Sequence, residues 1–217
     1  MKNIIMLGPP GAGKGTQAKF ISKEFSIPHI STGDMLRDEM ERKSELGRKV
    51  EEIVNSGKLV DDDLMVAIIK KRLTQPDVAN GFILDGFPRT ISQARALDKL
   101  LENIKKRVEF VLYVEVPEDI LVQRLSARRV CPKCGRAYNV ISNPPRDDNL
   151  CDVCHVPLVV RKDDKPETVR NRYRVYLDLT LPVIEYYRNW NVLFTIDGTL
   201  PVEKVKDMVL NILGGAE

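Results

Sequence analysis

An apolar run at the start of the chain, Ile4-Ile5-Met6-Leu7, breaks into Gly8-Pro9-Pro10-Gly11-Ala12-Gly13-Lys14-Gly15-Thr16. The spacing predicts a buried strand, a glycine-rich turn, and a helix over Lys14–Phe25 with Ala18, Ile21 and Phe25 along one face. Glycines let the backbone curl so that successive N–H groups point inward and form a nest for phosphate oxygens. The helix start adds partial positive charge, and Lys14 can reach the outer phosphates. In the common form of this motif Ser or Thr follows the lysine. Here Gly15 stands in that place and Thr16 comes next, a variation that points to a kinase-like subset of phosphate-binding loops.

A chain of 217 residues suits one globular unit with room for a small insertion. Its 34 basic and 31 acidic side chains are interleaved and leave a net charge of only +3, which argues against a nucleic-acid-binding face. No apolar stretch reaches membrane-spanning length, and the first one ends too early for a secretory signal, so a cytoplasmic location is the expectation. The four cysteines fall as Cys131-x-x-Cys134 and Cys151-x-x-Cys154, matching a four-thiolate zinc ribbon. Disulfides are the competing reading, disfavoured in a reducing compartment. His155 is an alternative ligand to its neighbour Cys154, and His29 is read as a packing or capping residue.

Continuous apolar runs predict strands over 4–7, 81–85, 110–116 and 192–196, with a short extended piece near 28–30. Helical patterns alternate with them: Asp61 can cap a helix over 62–73, and Thr90 with Gln93 forms a capping box. Pro166 and Pro201 sit where a first helical turn tolerates proline. The alternation predicts an α/β fold, a doubly wound parallel sheet of about five strands with its ligand at the strand carboxyl ends. Two segments break the rhythm: Ser31–Val60, with helical pieces over 34–43 and 45–55, and the loop-rich stretch carrying the cysteines. The expected organisation is a core of 1–30, 61–126 and 165–217, with flaps at 31–60 and 127–164.

Arginines cluster around these breaks: Arg37, Arg89, Arg124, Arg128, Arg161 and Arg172. Phosphoryl transfer asks a protein mainly for positioning and charge neutralisation, and the planar guanidinium grips phosphate oxygens in pairs. Arg124 and Arg128, four apart, are expected on one helical face.

The loop Gly8–Thr16, Ser31-Thr32-Gly33-Asp34-Met35-Leu36-Arg37, Leu84-Asp85-Gly86-Phe87-Pro88-Arg89-Thr90, Arg128-Arg129 and Arg161-Lys162-Asp163-Asp164 together resemble the adenylate kinase family from end to end, most closely its bacterial long form with a zinc-bearing lid. The resemblance implies a P-loop kinase core with a helical NMP-binding insertion and a lid. It implies a reversible, magnesium-dependent transfer of phosphate from ATP to AMP, giving two ADP, by a monomer. It also implies an ATP site of Gly11, Ala12, Gly13, Lys14, Gly15, Thr16, Arg128, Ala137, Tyr138 and the backbone of Leu200. Where Leu200 stands, the family often has Lys or Gln, a change that a backbone contact survives. For AMP it implies Thr32, Arg37, Lys58, Leu59, Val60, Gly86, Phe87, Pro88, Arg89, Gln93, Arg161 and Arg172. Lys14, Arg89, Arg124, Arg128, Arg161 and Arg172 would act on the transferring phosphate. Asp85 would orient magnesium through water, with helix capping or an ion pair as its other reading. Asp163 and Asp164 look like a hinge or core contact rather than a metal site. A UMP, CMP or GMP kinase and a nucleotide-switched zinc-ribbon binding module are the competing functions. Thr32 and Gln93 favour adenine.

Overall fold

The computed structural model describes residues 2–215. Strands β1 (Lys2–Leu7), β2 (His29–Ser31), β3 (Gly81–Asp85), β4 (Phe110–Glu115) and β7 (Leu193–Asp197) form one parallel sheet in the order β2-β3-β1-β4-β7. Alternate side chains of each strand enter opposite cores, as the strand period of two requires. Ile5, Leu7, Phe82, Leu84 and Val111 face α4 (Asp62–Leu73), α5 (Ile91–Asn103) and α8 (Leu181–Arg188). Ile4, Met6, Ile83, Leu112 and Val114 face α1 (Lys14–Phe25) and α9 (Val202–Gly214). Burial on both faces explains why these strands read as unbroken apolar runs. Among the described residues no helix is long and apolar enough to cross a membrane.

The first insertion is two helices, α2 (Thr32–Glu41) and α3 (Glu45–Asn55). Helix α2 starts two residues before the expected 34, because the Ser31 hydroxyl accepts from the Asp34 N–H and so caps it at Ser31. The two helices cross so closely that a Cβ on Gly47 would overlap the Glu39 carbonyl. Alanine is the better helix former, so at this position glycine serves the close approach. Gly47→Ala is expected to cost about 1–3 kcal/mol in flap packing. It should speed amide exchange across α2 and α3 and leave the sheet strands unchanged.

The second insertion is not featureless. Strands β5 (Arg128–Val130) and β6 (Ala137–Asn139) pair antiparallel, and Val130 also bridges to Val159. This corrects the expected helical pairing of Arg124 with Arg128. Helix α6 (Glu118–Ser126) ends at Ser126, and Arg128 already belongs to β5, so the two arginines share no helical face. The chain returns to the core through α7 (Pro166–Val175), then a π-helical segment, Tyr176–Thr180, leads into α8.

Candidate active site

The phosphate-loop segment joins β1 to α1 at the carboxyl edge of the sheet. Gly11 and Gly13 hold φ of 89° and 95°, and a Cβ on Gly8 would run into the Val114 carbonyl of β4. Gly13 starts α1 without a side-chain cap, and no acidic residue lies in the first turn. The helix's positive end therefore faces the crevice uncompensated. Lys14 folds back over the loop and donates to the carbonyls of Gly8 (2.8 Å) and Pro9 (2.9 Å). Burial pushes the Lys14 ammonium down to about 8. Asp85 opposes that shift, and the charges of Arg89, Arg172 and Arg128 reinforce it.

Across the crevice, β3 ends at Asp85. Burial tends to raise its carboxyl, but a hydrogen bond from His29 and the charge of Lys14 outweigh it and hold Asp85 below the usual carboxylate range. His29 Nε2 lies 3.2 Å from Asp85 Oδ2, so the histidine read as packing is a partner of this carboxylate. The turn that follows is locked. The Thr32 hydroxyl donates to Gly86 O at 2.9 Å, and Arg89 Nε donates to the same carbonyl at 2.7 Å. Thr90 caps α5 by accepting from the Gln93 N–H, as the capping box predicts. The reciprocal half differs, because Gln93 Oε1 accepts from the Arg89 N–H (2.8 Å).

One cavity collects Thr32, Arg37, Lys58, Leu59, Val60, Gly86, Arg89, Gln93 and Arg172. Its apolar walls, Leu36, Val54 and Met65, were not singled out from the sequence, since apolar residues at helical spacing read only as core. Phe87 does not line it; its ring is buried in the core against α4 and α5.

Arg89 and Arg161 are each pushed down to about 10, first by burial and next by neighbouring arginines. Asp85 and Asp163 oppose the shift at Arg89, and Asp34 and Asp163 oppose it at Arg161. Asp163 and its neighbour Asp164 are both buried. Arg128 forks onto the Asp164 carboxylate, with Nε 2.7 Å from Oδ2. Arg172 reaches Asp163 Oδ2 at 3.0 Å and Asp164 Oδ1 at 3.3 Å. Arg161 lies 3.5 Å from Asp34 of α2, while its buried Nε has no partner among the described residues. Arg124 stands apart from this web, and the charge that opposes its burial is Asp197.

In the second insertion the four thiol sulfurs lie within 4.8 Å of one another, and Cys134 and Cys151 are 3.7 Å apart. Tetrahedral zinc at ~2.3 Å from each sulfur sets neighbouring sulfurs about 3.8 Å apart, so this donor set fits the ion. The two knuckles repeat one turn: Gly135 N–H donates to Cys131 O, and His155 N–H donates to Cys151 O. Gly135 and His155 both take positive φ, at 65° and 52°. His155 is thus the turn residue of its knuckle, and the cysteines are the ligand cluster. Tyr138 packs among them, its hydroxyl donating to Cys151 Sγ and accepting from Asp152 N–H. The backbone at Ala137-Tyr138 pairs with Val130 and Arg129 of β5, and Leu200 packs partly into the core on the α9 side.

A five-stranded parallel sheet carrying this loop, with a lysine and several arginines converging at its carboxyl edge, defines an α/β nucleotide-binding phosphotransferase of the P-loop kinase type. The family model described as Adenylate kinase matches residues 6–192. An adenylate kinase of Thermosipho melanesiensis is 56% identical over 211 residues, covering 97% of this chain and 99% of its own length. One from Kosmotoga olearia is 55% identical over 211 residues, covering 97% and 98%. One from Thermotoga maritima is 51% identical over 218 aligned positions, covering 100% and 99%. The chain belongs to the adenylate kinase family.

Proposed function

We propose that the chain catalyses reversible transfer of the terminal phosphate of ATP to AMP, giving two ADP. The observation that carries this reading is the meeting of two half-sites. A phosphate loop whose half-buried lysine feels the charges of Arg89, Arg172 and Arg128 adjoins a cavity that Arg89 and Arg172 also line. On this reading the loop Gly11–Thr16 holds the ATP phosphates, with Arg128, the backbone at Ala137-Tyr138 and Leu200 along the rest of ATP. Thr32, Arg37, the stretch Lys58–Val60, Gly86, Arg89 and Gln93 hold AMP, with Phe87 anchoring their turn in the core. Arg161 and Arg172 grip phosphates as the flaps close. The buried, unpartnered Nε of half-buried Arg161 supports this, since a phosphate oxygen would satisfy a donor that is costly to leave unmade. Asp163 and Asp164 hold the arginine forks in place until phosphate competes for them.

The segments 31–60 and 127–164 act as flaps on a core of 1–30, 61–126 and 165–217, shutting water out so that phosphate passes to AMP rather than to solvent. Magnesium arriving with the nucleotide would supply charge neutralisation, and the ionised Asp85 beside Lys14 would orient it through water. Zinc on the four thiolates would be structural, because four ligands leave no open position. The expected working form is a cytoplasmic monomer with ATP, AMP and ADP as its ligands, acting on neither nucleic acid nor membranes.

A coupled assay of ADP formation from ATP with AMP, UMP, CMP and GMP, with and without magnesium, tests the reading. Preference for AMP that requires magnesium is the expected result, and a better rate with another monophosphate would reject it. Arg89→Ala is expected to lower turnover at least ~100-fold, the scale of one lost transition-state donor. It should weaken AMP binding more than ATP binding, since Arg89 follows the Asp85–Pro88 turn on the acceptor side. Titration with each nucleotide checks this, and equal losses for both would mean that the two half-sites have been exchanged.

A further inference from the structure

Gln93 is almost fully buried at the base cavity, yet an amide can present either of two faces to a base. Its oxygen accepts and its nitrogen donates, and rotating the group by half a turn exchanges them. Two neighbours remove that freedom. Gln93 Nε2 donates to Asp62 Oδ1 at 2.7 Å, and Gln93 Oε1 accepts from the Arg89 N–H at 2.8 Å. A carboxylate only accepts and a backbone N–H only donates, so the reversed amide would face acceptor with acceptor and donor with donor. Asp62 is itself held: its Oδ2 accepts from the Thr90 hydroxyl at 2.7 Å, and Thr90 in turn accepts from the Gln93 N–H. The carboxylate sits in the first turn of α4, directly beyond Lys58-Leu59-Val60, where the helix's positive end favours it.

We propose that Asp62 is a specificity-determining positioning residue, which fixes the Gln93 amide so that the cavity accepts a purine bearing a 6-amino group and rejects one bearing a 6-oxo group. Adenine offers a donor at its 6-amino group and an acceptor at N1, complementary to the fixed oxygen and nitrogen. Hypoxanthine, of the same size, offers an acceptor at O6 and a donor at N1, the reverse pattern. This rests on the reading of Gln93 as the residue that meets the base of the acceptor nucleotide.

The test is the ratio of kcat/KM for AMP to that for IMP, with ATP as donor, in the wild type, Gln93→Leu and Asp62→Ala. Because both nucleotides are measured on one sample, the ratio does not depend on the fraction of protein that is folded. In Asp62→Ala the ratio should narrow by ~10-fold, about the worth of one hydrogen bond, with the KM for ATP unchanged. If the alanine variant does not accumulate as folded protein, Asp62→Asn carries the same test. Its expected narrowing is smaller, since its oxygen still accepts while its amide nitrogen no longer forbids the reversed Gln93 amide. A narrowed ratio in Gln93→Leu with an unchanged ratio in the Asp62 variant overturns the positioning role alone. An unchanged ratio in Gln93→Leu overturns the reading of Gln93 and the inference with it. Equal losses for AMP and IMP in the Asp62 variant mean a merely structural carboxylate and also overturn it.

Discussion

Replacing Lys14 with alanine is expected to reduce turnover by at least ~100-fold, the scale set by removing one preorganised electrostatic group from a water-excluded site. The loop glycines and the cap-free start of α1 would still bind phosphate. What disappears is the one cation of the loop that can follow the migrating group. The same residue predicts a pH dependence. Burial, reinforced by Arg89, Arg172 and Arg128 against the pull of Asp85, brings Lys14 down to about 8 in the free protein. Its charge is lost as pH rises through that value, so kcat/KM for ATP should fall on an alkaline limb near 8. Stability moves the other way. A lysine whose folded pKa lies below its unfolded value of 10.5 favours the folded state at high pH, and that contribution is lost as pH falls through about 8. Between those values the ligand-free protein should become more stable while it becomes less active. Lys14→Ala should remove both trends, seen in pH-rate profiles and in denaturant unfolding over the same range. A folded alanine variant with near-normal turnover would take the loop out of the chemistry.

Stripping metal from the cysteine cluster, or changing Cys131 and Cys134 to Ser together, is expected to lower the melting temperature by roughly 10–20 °C, the result of losing several kcal/mol of metal-coupled folding from a chain this size. The cluster around the thiols is small. Tyr138 and Leu158 are its only buried non-cysteine members, with Cys154 and Val156 packed partly against it. Nearby Val140, Ile141, Val153 and Val160 are exposed and add nothing to that core. A metal on the four thiolates would therefore replace apolar burial that this segment lacks. Well below the transition, turnover should survive, since a closed four-thiolate site offers no position to phosphate or water. Metal content, cold activity and thermal unfolding measured on the same samples decide it. Loss of phosphoryl transfer in the cold, folded, zinc-free protein would reject a structural role.

The legible parts of the fold were those whose local and global demands agree. Gly81–Asp85 was readable to the residue, because a buried parallel strand is a continuous apolar run and Gly81 and Asp85 bound it. Lys14–Phe25 and Asp62–Leu73 were equally plain, each marked by its cap or loop. The β5–β6 hairpin was not, since two three-residue strands around a metal turn carry almost no periodicity. The π-helical segment at Tyr176–Thr180 was also missed, because a single wide turn inside a helical pattern leaves no mark in composition. At the site, residue types announced the phosphate chemistry, but partners could not be read. That Asp164 takes Arg128, that His29 meets Asp85, and that Asp62 holds Gln93 depend on chain segments brought together from far apart.

The segment stapled by the thiols leaves the core after α6 and returns at α7, two helices that pack side by side. Its departure and re-entry points are therefore neighbours, and its interior gathers its own cluster of four thiols. Such a stretch behaves as a cassette. Recombination can lengthen it, shorten it or exchange its staple for another device without asking the five-stranded sheet to change register. A lineage moving between hot and cold habitats could thus retune this one piece and inherit the catalytic core unaltered.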